Sequence, residues 1–238
     1  SRIASVVVAM AIAVYPAAIN AAGTEEDSPA QGGGGTTADA RDIPGTSEES
    51  TSDSVLAGPP PVPTADLPRA FRDQTPPGRS GADFSTDFNR ATVSFDEIIS
   101  GGPPKDGIPS IDEPRFTDVN SASAWIGDRE PVVVVENPGA TDETARVYPL
   151  QILTWHEIVN DTLGEIPIVV TYCPLCNTGV VFDRRVAGTV LEFGTTGRLR
   201  RSNLIMYDRT TESWWQQATG RGIAGFFAGS RLTAIPAL

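Results

Sequence analysis

The chain has 238 residues, a formal net charge of −12 at pH 7, 39% hydrophobic residues, 23 glycines and 20 prolines. The low apolar share and the many turn-forming residues predict a folded part smaller than the chain, joined to an unstructured extension. Acidic residues are concentrated in residues 23–58, where eight acids stand against one arginine. No basic surface dominates the remainder, which argues against nucleic-acid binding.

Residues 1–22 are predicted to be a signal peptide or a membrane anchor. Residues 3–22 are apolar and uncharged, and the first thirteen of them have the length of a signal-peptide hydrophobic region ahead of Pro16. About twenty apolar residues also suffice to span a bilayer, which keeps the anchor as an alternative. Both alternatives predict an extracytoplasmic protein, secreted, periplasmic or membrane-anchored, that meets the membrane through this segment alone.

Residues 23–91 are predicted to be a disordered linker. The segment is first acidic and glycine-rich and then proline-rich around residues 59–63. This composition cannot bury enough apolar area to offset the entropy cost of ordering the chain. We therefore expect a flexible stalk that is stiffened by polyproline near its end.

Residues 92–238 predict one α+β domain, mainly β, in which antiparallel sheets carry a single packed amphipathic helix. The helix is expected at about residues 149–163, with Pro149 in its first turn and Gly164 as its stop. Runs of β-branched and aromatic residues after the helix predict strands at roughly regular spacing. These runs are IPIVVTY, GVVFDRR, TVLEFG, NLIMYDR and ESWWQQ.

A hairpin is predicted ahead of the helix. Its strands are expected at residues 132–135 and 145–148, around a polar turn at residues 137–143. The last residues of the chain are typical of a strand that enters another element, so we expect the domain to be truncated at its C-terminus.

Two cysteines, Cys173 and Cys176, follow a predicted buried strand with C-x-x-C spacing. This spacing places two sulfurs within bridging distance in a tight or helical turn. Pro174 at a first helical position would make Cys173 a helix cap, where backbone N–H groups lower the pKa of a thiol. Arg184 and Arg185 in the next strand would add positive potential. The pattern predicts a redox site in which Cys173 attacks and Cys176 resolves.

A structural disulfide and a metal site are the alternatives for the same two residues. A local disulfide suits an exported chain, but closing a four-residue ring contributes about 2 kcal/mol, against about 4.7 kcal/mol for a hundred-residue loop. A zinc ribbon needs a second C-x-x-C, which the sequence lacks. Two thiolates can hold Cu(I), with Met206 as a soft neighbour or His156 as a third ligand. Copper is therefore the cofactor that the metal alternative implies.

His156 is the only histidine, and it falls on the apolar stripe of the predicted helix. The simplest interpretation is a core histidine with a satisfied hydrogen bond. The functional alternative makes it a base or a metal ligand beside the cysteines. If the helix and the next strand run antiparallel, Cys173 lies beyond His156, near Pro149 at the helix start, where backbone N–H groups would favour a thiolate.

The segment ESWWQQ offers side chains for a ligand cleft, although tryptophans in a strand usually fill a core. The residues concerned are Trp214, Trp215, Gln216 and Gln217. Asp208, just before this segment, is expected in a solvated turn. The sequence contains no nucleophile elbow, Walker A loop or dinucleotide fingerprint.

Four motifs occur in series from about residue 94 to residue 238: SGGPPKDGIPSIDEPRF, YPLQILTWHEIVND, VTYCPLCNTGVVFDRR and SNLIMYDRTTESWWQQATGRGIAG. Together they resemble the family called domain of unknown function 3179. The resemblance implies a bacterial or archaeal protein behind an export signal, and a domain that continues beyond residue 238. It implies no specific activity. Relatives in which selenocysteine is expected at the C-x-x-C position favour redox chemistry at Cys173 and Cys176.

Three hypotheses follow for the function. The first is an exported thiol–disulfide oxidoreductase that exchanges with a protein thiol or disulfide partner. The second is a copper-handling module that uses the same sulfurs and receives its ion from a metal donor. The third is a non-catalytic module that is presented on a stalk and carries a closed local disulfide.

Overall fold

The computed structural model describes residues 6–8, 62–77, 83–136 and 145–238, and all of these belong to one compact unit. Most of the predicted signal or anchor segment, the acidic part of the predicted stalk and the predicted turn at residues 137–143 lie outside the described residues. Among the described residues, no helix is long and apolar enough to cross a membrane.

Strands dominate the described residues, which confirms the prediction of a mainly β fold with antiparallel sheets. The strands are β1 (Val6–Val8), β2 (Ile98–Ser100), β3 (Val132–Glu136), β4 (Ala145–Pro149), β5 (Ile158–Leu163), β6 (Ile166–Cys173), β7 (Thr178–Asp183), β8 (Arg185–Val186), β9 (Thr189–Val190), β10 (Phe193–Arg200), β11 (Asn203–Asp208), β12 (Trp214–Gln216), β13 (Arg221–Ala224) and β14 (Thr233–Ile235). The helices are α1 (Val119–Ala122) and α2 (Leu150–His156), with short 3-10 turns at Thr64–Asp66, Arg69–Phe71 and Phe95–Glu97.

These strands form two larger sheets and two smaller ones. The five-stranded sheet has the order β13-β12-β11-β10-β2, and the four-stranded sheet has the order β14-β7-β6-β5. A three-stranded sheet, β1-β4-β3, contains the predicted hairpin as the antiparallel pair β3–β4, while β1 joins β4 in parallel. The two-stranded pair β8–β9 completes the set.

Strand β6 shows how the layers stack. Successive side chains of a strand point to opposite faces of its sheet. Ile168, Val170 and Tyr172 face a core that they share with α2, β3 and β4. Val169 and Cys173 face the other way, into a core shared with the five-stranded sheet. Because both faces are covered, all but the first residue of β6 is buried, and its sequence IPIVVTYC is a continuous rather than an alternating apolar run.

Strand β11 repeats this arrangement in the five-stranded sheet. Leu204 and Met206 face the core between the two large sheets. Ile205 and Tyr207 face an outer core built with residues 84–98. Every residue of β11 is therefore buried.

The predicted helix at about 149–163 is wrong in its second half. Helix α2 ends at His156, because Glu157 adopts a left-handed backbone conformation with φ 58°. The following residues, rich in β-branched side chains, form β5, which pairs antiparallel with β6. Gly164, the predicted helix stop, instead occupies the two-residue β5–β6 loop with φ 62°.

The folded region begins before the predicted boundary at residue 92. Leu67, Phe84 and Phe88 are buried, although the sequence places them in the predicted linker at residues 23–91. Phe88 packs edge-to-face on Phe95 and Trp214, which makes this segment the outer layer of the five-stranded sheet. Its apolar residues are widely spaced in irregular chain, so no strand or helix periodicity marks them.

Candidate functional site

The two cysteines bracket the turn that connects β6 to β7. Cys173 is the last residue of β6 and pairs with Thr178, the first residue of β7. The Cys176 N–H donates to the Cys173 carbonyl at 3.3 Å, and Asn177 has φ 47°. The four-residue connection is a hairpin turn and not a helix, so the predicted helix cap at Cys173 is wrong.

The two cysteines have unlike surroundings. Cys173 is 1% exposed and packs in the core between the large sheets, whereas Cys176 is exposed. They approach each other to 3.1 Å without forming a disulfide. One sulfur is therefore open to solvent, with a second, buried thiol directly behind it.

Asn203, the first residue of β11, connects Cys176 to the interior. Its Nδ2 donates to Cys176 Sγ at 3.3 Å and to Gln217 Oε1 at 2.7 Å. Its Oδ1 accepts from Gln216 Nε2 at 2.5 Å and from the Ala218 backbone N–H at 3.0 Å. All four hydrogen-bonding positions of this buried amide are thus occupied, and one of them is the exposed sulfur.

The network continues through Gln217, which is fully buried. Its Nε2 donates to Thr171 Oγ1 at 2.9 Å and to the Thr178 carbonyl at 3.0 Å. The sequence offered Gln216 and Gln217 as candidates for a ligand cleft, and they instead form a polar network between the two large sheets. Trp214 and Trp215 are fully buried, which confirms that they fill the core.

The pKa values of the two thiols move in opposite directions. Burial raises the pKa of Cys173, and its hydrogen bond to Cys176 adds to the increase. Partial burial acts to raise the pKa of Cys176 as well. Hydrogen bonds from Thr178, Asn203 and Cys173 outweigh it and lower the Cys176 pKa below its usual range. Cys176 is therefore the sulfur that ionises more readily.

A strained hairpin turn lies beside the cysteines. Arg201 and Ser202 form the two-residue loop between β10 and β11, and both have left-handed φ angles, 53° and 61°. The Ser202 carbonyl accepts from Cys173 Sγ at 3.7 Å. Next to the loop, Glu97 forms ion pairs with Arg200 at 2.5 Å and with Arg201 at 3.0 Å. One glutamate thus stands against two arginines, so these three side chains carry a net charge of +1.

The part of the chain that contains both cysteines and Asn203 matches one protein family. A family model described as "Protein of unknown function (DUF3179)" matches residues 105–238, more than half of the chain. The chain belongs to the DUF3179 family. This confirms the resemblance drawn from the sequence motifs. No curated protein and no solved structure matches the chain.

In this DUF3179 chain, His156 lies apart from the cysteines. Its Nδ1 is 2.8 Å from the Pro109 carbonyl, so the ring has a hydrogen-bond partner at the end of α2. Helix α2 packs through Leu153 on the face of the four-stranded sheet that carries Tyr172, opposite to the face that carries Cys173. The prediction that the helix start lies beside the sulfurs is therefore wrong, because the helix and Cys173 lie on opposite faces of the four-stranded sheet.

Met206 shares the core between the two large sheets with Cys173, and the other candidate groups lie elsewhere in the DUF3179 fold. Among the described residues, no group of three or more His, Cys, Asp and Glu side chains is placed to hold a metal ion. Met206 is fully buried in the core. Arg184 donates to the Leu191 and Asp161 carbonyls, and Arg185 pairs with Asp183. Asp183 pairs with Ile168, five residues along β6 from Cys173, about 16 Å away.

Sequence reasoning missed the residues of the hydrogen-bond network behind the exposed thiol. Asn203, Thr171 and Thr178 belong to the site, yet Asn203 stands 27 residues from Cys176 along the chain. The one available signal was an asparagine directly before the apolar run of residues 204–207, since a buried amide needs partners. Asp208 was expected in a solvated turn, but it is fully buried and accepts from Trp215 Nε1 at 2.9 Å.

Proposed function

We propose that this DUF3179 domain carries out thiol–disulfide exchange, with Cys176 as the attacking sulfur and Cys173 as the resolving sulfur. One observation carries the proposal: an exposed thiol that accepts an amide hydrogen bond lies within 3.1 Å of a buried thiol. Attack on a disulfide requires an accessible thiolate, and resolution requires a second thiol close behind it.

The proposed roles are the reverse of those expected from the sequence. That expectation relied on Pro174 starting a helix with Cys173 as its cap, and the chain makes a hairpin turn instead. Without a helix end at Cys173, burial raises its pKa, while local hydrogen bonds lower the pKa of Cys176. Both accessibility and ionisation support Cys176 as the nucleophile.

The reaction proceeds in two displacement steps. The Cys176 thiolate attacks one sulfur of a substrate disulfide, forms a mixed disulfide with it and releases the other sulfur as a thiolate. Cys173 then attacks the Cys176 sulfur, forms the Cys173–Cys176 bond and releases the second substrate thiolate. The dithiol loses two electrons, the substrate disulfide gains two, and the two thiol protons pass to the released thiolates.

We further propose that the substrate is a protein disulfide outside the cytoplasm. Leu175, at the tip of the turn between the two cysteines, is 66% exposed and offers an apolar contact beside the reacting sulfur. The apolar N-terminal segment supports an exported location, where protein disulfides persist.

The test uses the full-length reduced chain and an aromatic model disulfide whose released thiolate absorbs light. Cys176→Ala should abolish exchange. Cys173→Ala should retain the first attack and stop as a mixed disulfide on Cys176, which mass spectrometry of the peptides would locate. Melting curves of both variants confirm that each remains folded.

Three outcomes would count against the proposal. If the native dithiol does not react with the model disulfide, the chain has no exchange activity. If Cys176→Ala forms a mixed disulfide on Cys173 at the native rate, the roles of the two cysteines are the reverse of those proposed. Stoichiometric Cu(I) in the purified chain, lost when either cysteine is replaced, would favour the copper alternative.

A further inference from the structure

The orientation of the Asn203 side-chain amide follows from backbone groups around it. Carbonyl groups can only accept a hydrogen bond, and backbone N–H groups can only donate one. The Val180 carbonyl accepts from Thr171 Oγ1 at 2.7 Å, so the Thr171 hydroxyl proton is already donated and its oxygen accepts from Gln217. The Thr178 carbonyl also contacts the same Gln217 nitrogen, at 3.0 Å. Gln217 therefore turns Nε2 toward Thr171 and its Oε1 toward Asn203.

A second anchor acts on Asn203 from its other side. The Ala218 backbone N–H can only donate, and it lies 3.0 Å from Asn203 Oδ1. Gln216 Nε2 donates to the same oxygen, and Gln216 Oε1 accepts from Arg200 Nη1 at 3.3 Å. Both anchors require Asn203 to present its NH₂ group to Gln217 and to Cys176. The amide cannot flip without losing bonds at both ends.

We propose that Asn203 is a catalytic residue of the exchange reaction, which donates a hydrogen bond of fixed direction to the Cys176 thiolate, and that Gln216 and Gln217 are its positioning residues. This inference rests on the proposed function and adds the group that activates its nucleophile. A thiolate accepts such a bond more strongly than a thiol does, so the bond favours the ionised sulfur.

Few charged groups face Cys176 in the described part of the chain. Cys173 is the titratable group that contacts it, from the end of β6. Arg200 lies three hydrogen bonds away, through Gln216 and Asn203, and it shares Glu97 with the exposed Arg201. The thiolate therefore depends on neutral donors, Asn203 and Thr178, more than on a neighbouring cation.

The main variant is Asn203→Asp, which replaces the N–H donor by a carboxylate of the same shape. We expect the Cys176 pKa to rise by about one, so the thiolate fraction falls about tenfold at pH values below both pKa values. A more basic thiolate is intrinsically more nucleophilic, so the exchange rate at those pH values should fall only about threefold. Above both pKa values the variant should exchange about threefold faster than the native chain. The two pH–rate profiles therefore cross, which general damage to the fold would not produce.

Asn177→Asp is the matched control. It adds the same charge one residue from Cys176, but the Asn177 amide accepts from Tyr172 Oη at 2.9 Å on the opposite face of the sheet. Its effect on the Cys176 pKa should be less than half that of Asn203→Asp. Equal effects in the two variants would mean that charge alone matters and would overturn the role of the hydrogen bond.

Gln216→Glu is the second variant, in case Asn203→Asp does not fold. The new carboxylate is paired with Arg200 but can no longer donate to Asn203 Oδ1, so the orientation of Asn203 weakens while its own amide remains. The Cys176 pKa should rise in the same direction by a smaller amount. An unchanged pKa would overturn the positioning role.

The Cys176 pKa is read in each variant from the pH dependence of alkylation by iodoacetamide, with Cys173→Ala as background. This readout does not require disulfide exchange. If exchange is absent but the alkylation pKa still depends on Asn203, the proposed function fails and the hydrogen bond stands. If exchange is present and the Cys176 pKa does not depend on Asn203, the role of Asn203 is contradicted and the proposed exchange activity stands.

Discussion

One buried and one partly buried acidic residue show how the surroundings of a carboxyl group change its pKa in this fold. Burial raises the pKa of Asp208, yet its carboxylate accepts hydrogen bonds from Trp215 Nε1 and from the Thr211 backbone and hydroxyl, which oppose that increase. Glu157 is partly buried and its side chain has no hydrogen bond or ion pair with any described residue. Burial alone raises its pKa to about 7. Donors placed by neighbouring residues thus oppose the increase in pKa that burial causes at Asp208, and Glu157 has no such donors among the described residues.

The variant Glu157→Gln tests whether burial of the Glu157 carboxyl group destabilises its ionised form. The folded pKa of about 7 lies above the ordinary value of 4.5. The native state therefore holds the proton more tightly than the unfolded state, and its stability falls as the pH rises from about 4.5 to about 7. At pH 8 the variant should be more stable than the native chain by about 1–2 kcal/mol, allowing for solvent screening of a partly exposed group.

Thermal unfolding of Glu157→Gln and native protein at pH 4 and pH 8 measures the difference. The midpoints should agree at pH 4 and differ by about 2–8 °C at pH 8. Glu165→Gln, an exposed change in the β5–β6 loop, should change stability by less than about 0.5 kcal/mol at both pH values. A Glu157→Gln difference that is the same at both pH values would contradict the argument.

At the level of elements, the two-residue hairpin loops differ in how they accommodate left-handed backbone. The β5–β6 loop uses Gly164 and the β8–β9 loop uses Gly188, with φ 62° and 81°. The β10–β11 loop has Arg201 and Ser202 at its two left-handed positions instead. Left-handed backbone costs a residue with a side chain about 1–2 kcal/mol. The loop beside Cys173 is therefore the most strained of the three, and such strain clusters at functional sites.

Replacing the loop by Asn-Gly, as Arg201→Asn with Ser202→Gly, should stabilise the protein. These residues are preferred where both central φ angles are positive. The gain is partly offset by loss of the Arg201–Glu97 ion pair, which is weak because both groups are screened by solvent. We expect a net gain of about 1 kcal/mol, or about 2–4 °C in the melting midpoint.

Ala187→Asn is the control for this change, because the β8–β9 loop already has glycine at its second position. It should raise the melting midpoint less than the double change does. A double variant that melts at or below the native temperature would show that the Arg201–Ser202 loop stores no strain.

Elements with a dominant local pattern could be predicted from the sequence, and those set by distant contacts could not. The apolar runs of β6 and β11 identify strands whatever they pack against. The helix prediction failed at Glu157, because an apolar run that begins a helix can equally continue as a strand, and a single left-handed residue separates the two. The cysteine pair was evident from its spacing, but the amide that donates to Cys176 comes from Asn203, 27 residues away along the chain. That contact exists only once the two large sheets pack together.

At the level of the whole molecule, the site depends on how the layers stack. Helix α2 and β3–β4 cover the outer face of the four-stranded sheet, and residues 84–98 cover the outer face of the five-stranded sheet. The amide network lies between the two central sheets, where Gln217 from one sheet bonds to Thr171 from the other. Outer layers that hold the sheets in register therefore also hold Asn203 against Cys176.

Phe88→Ala tests whether the irregular segment is an integral layer. Phe88 is buried and packs edge-to-face on Trp214 at 5.1 Å and on Phe95 at 5.6 Å. Truncating a buried phenylalanine leaves a cavity and should cost about 3–5 kcal/mol. Urea unfolding of the full chain, followed by tryptophan fluorescence, measures the loss. Phe226→Ala, at a side chain that is 36% exposed, should cost less than half as much. If Phe88→Ala lowers the free energy of unfolding by less than about 1 kcal/mol, residues 84–98 do not form an integral layer of the core.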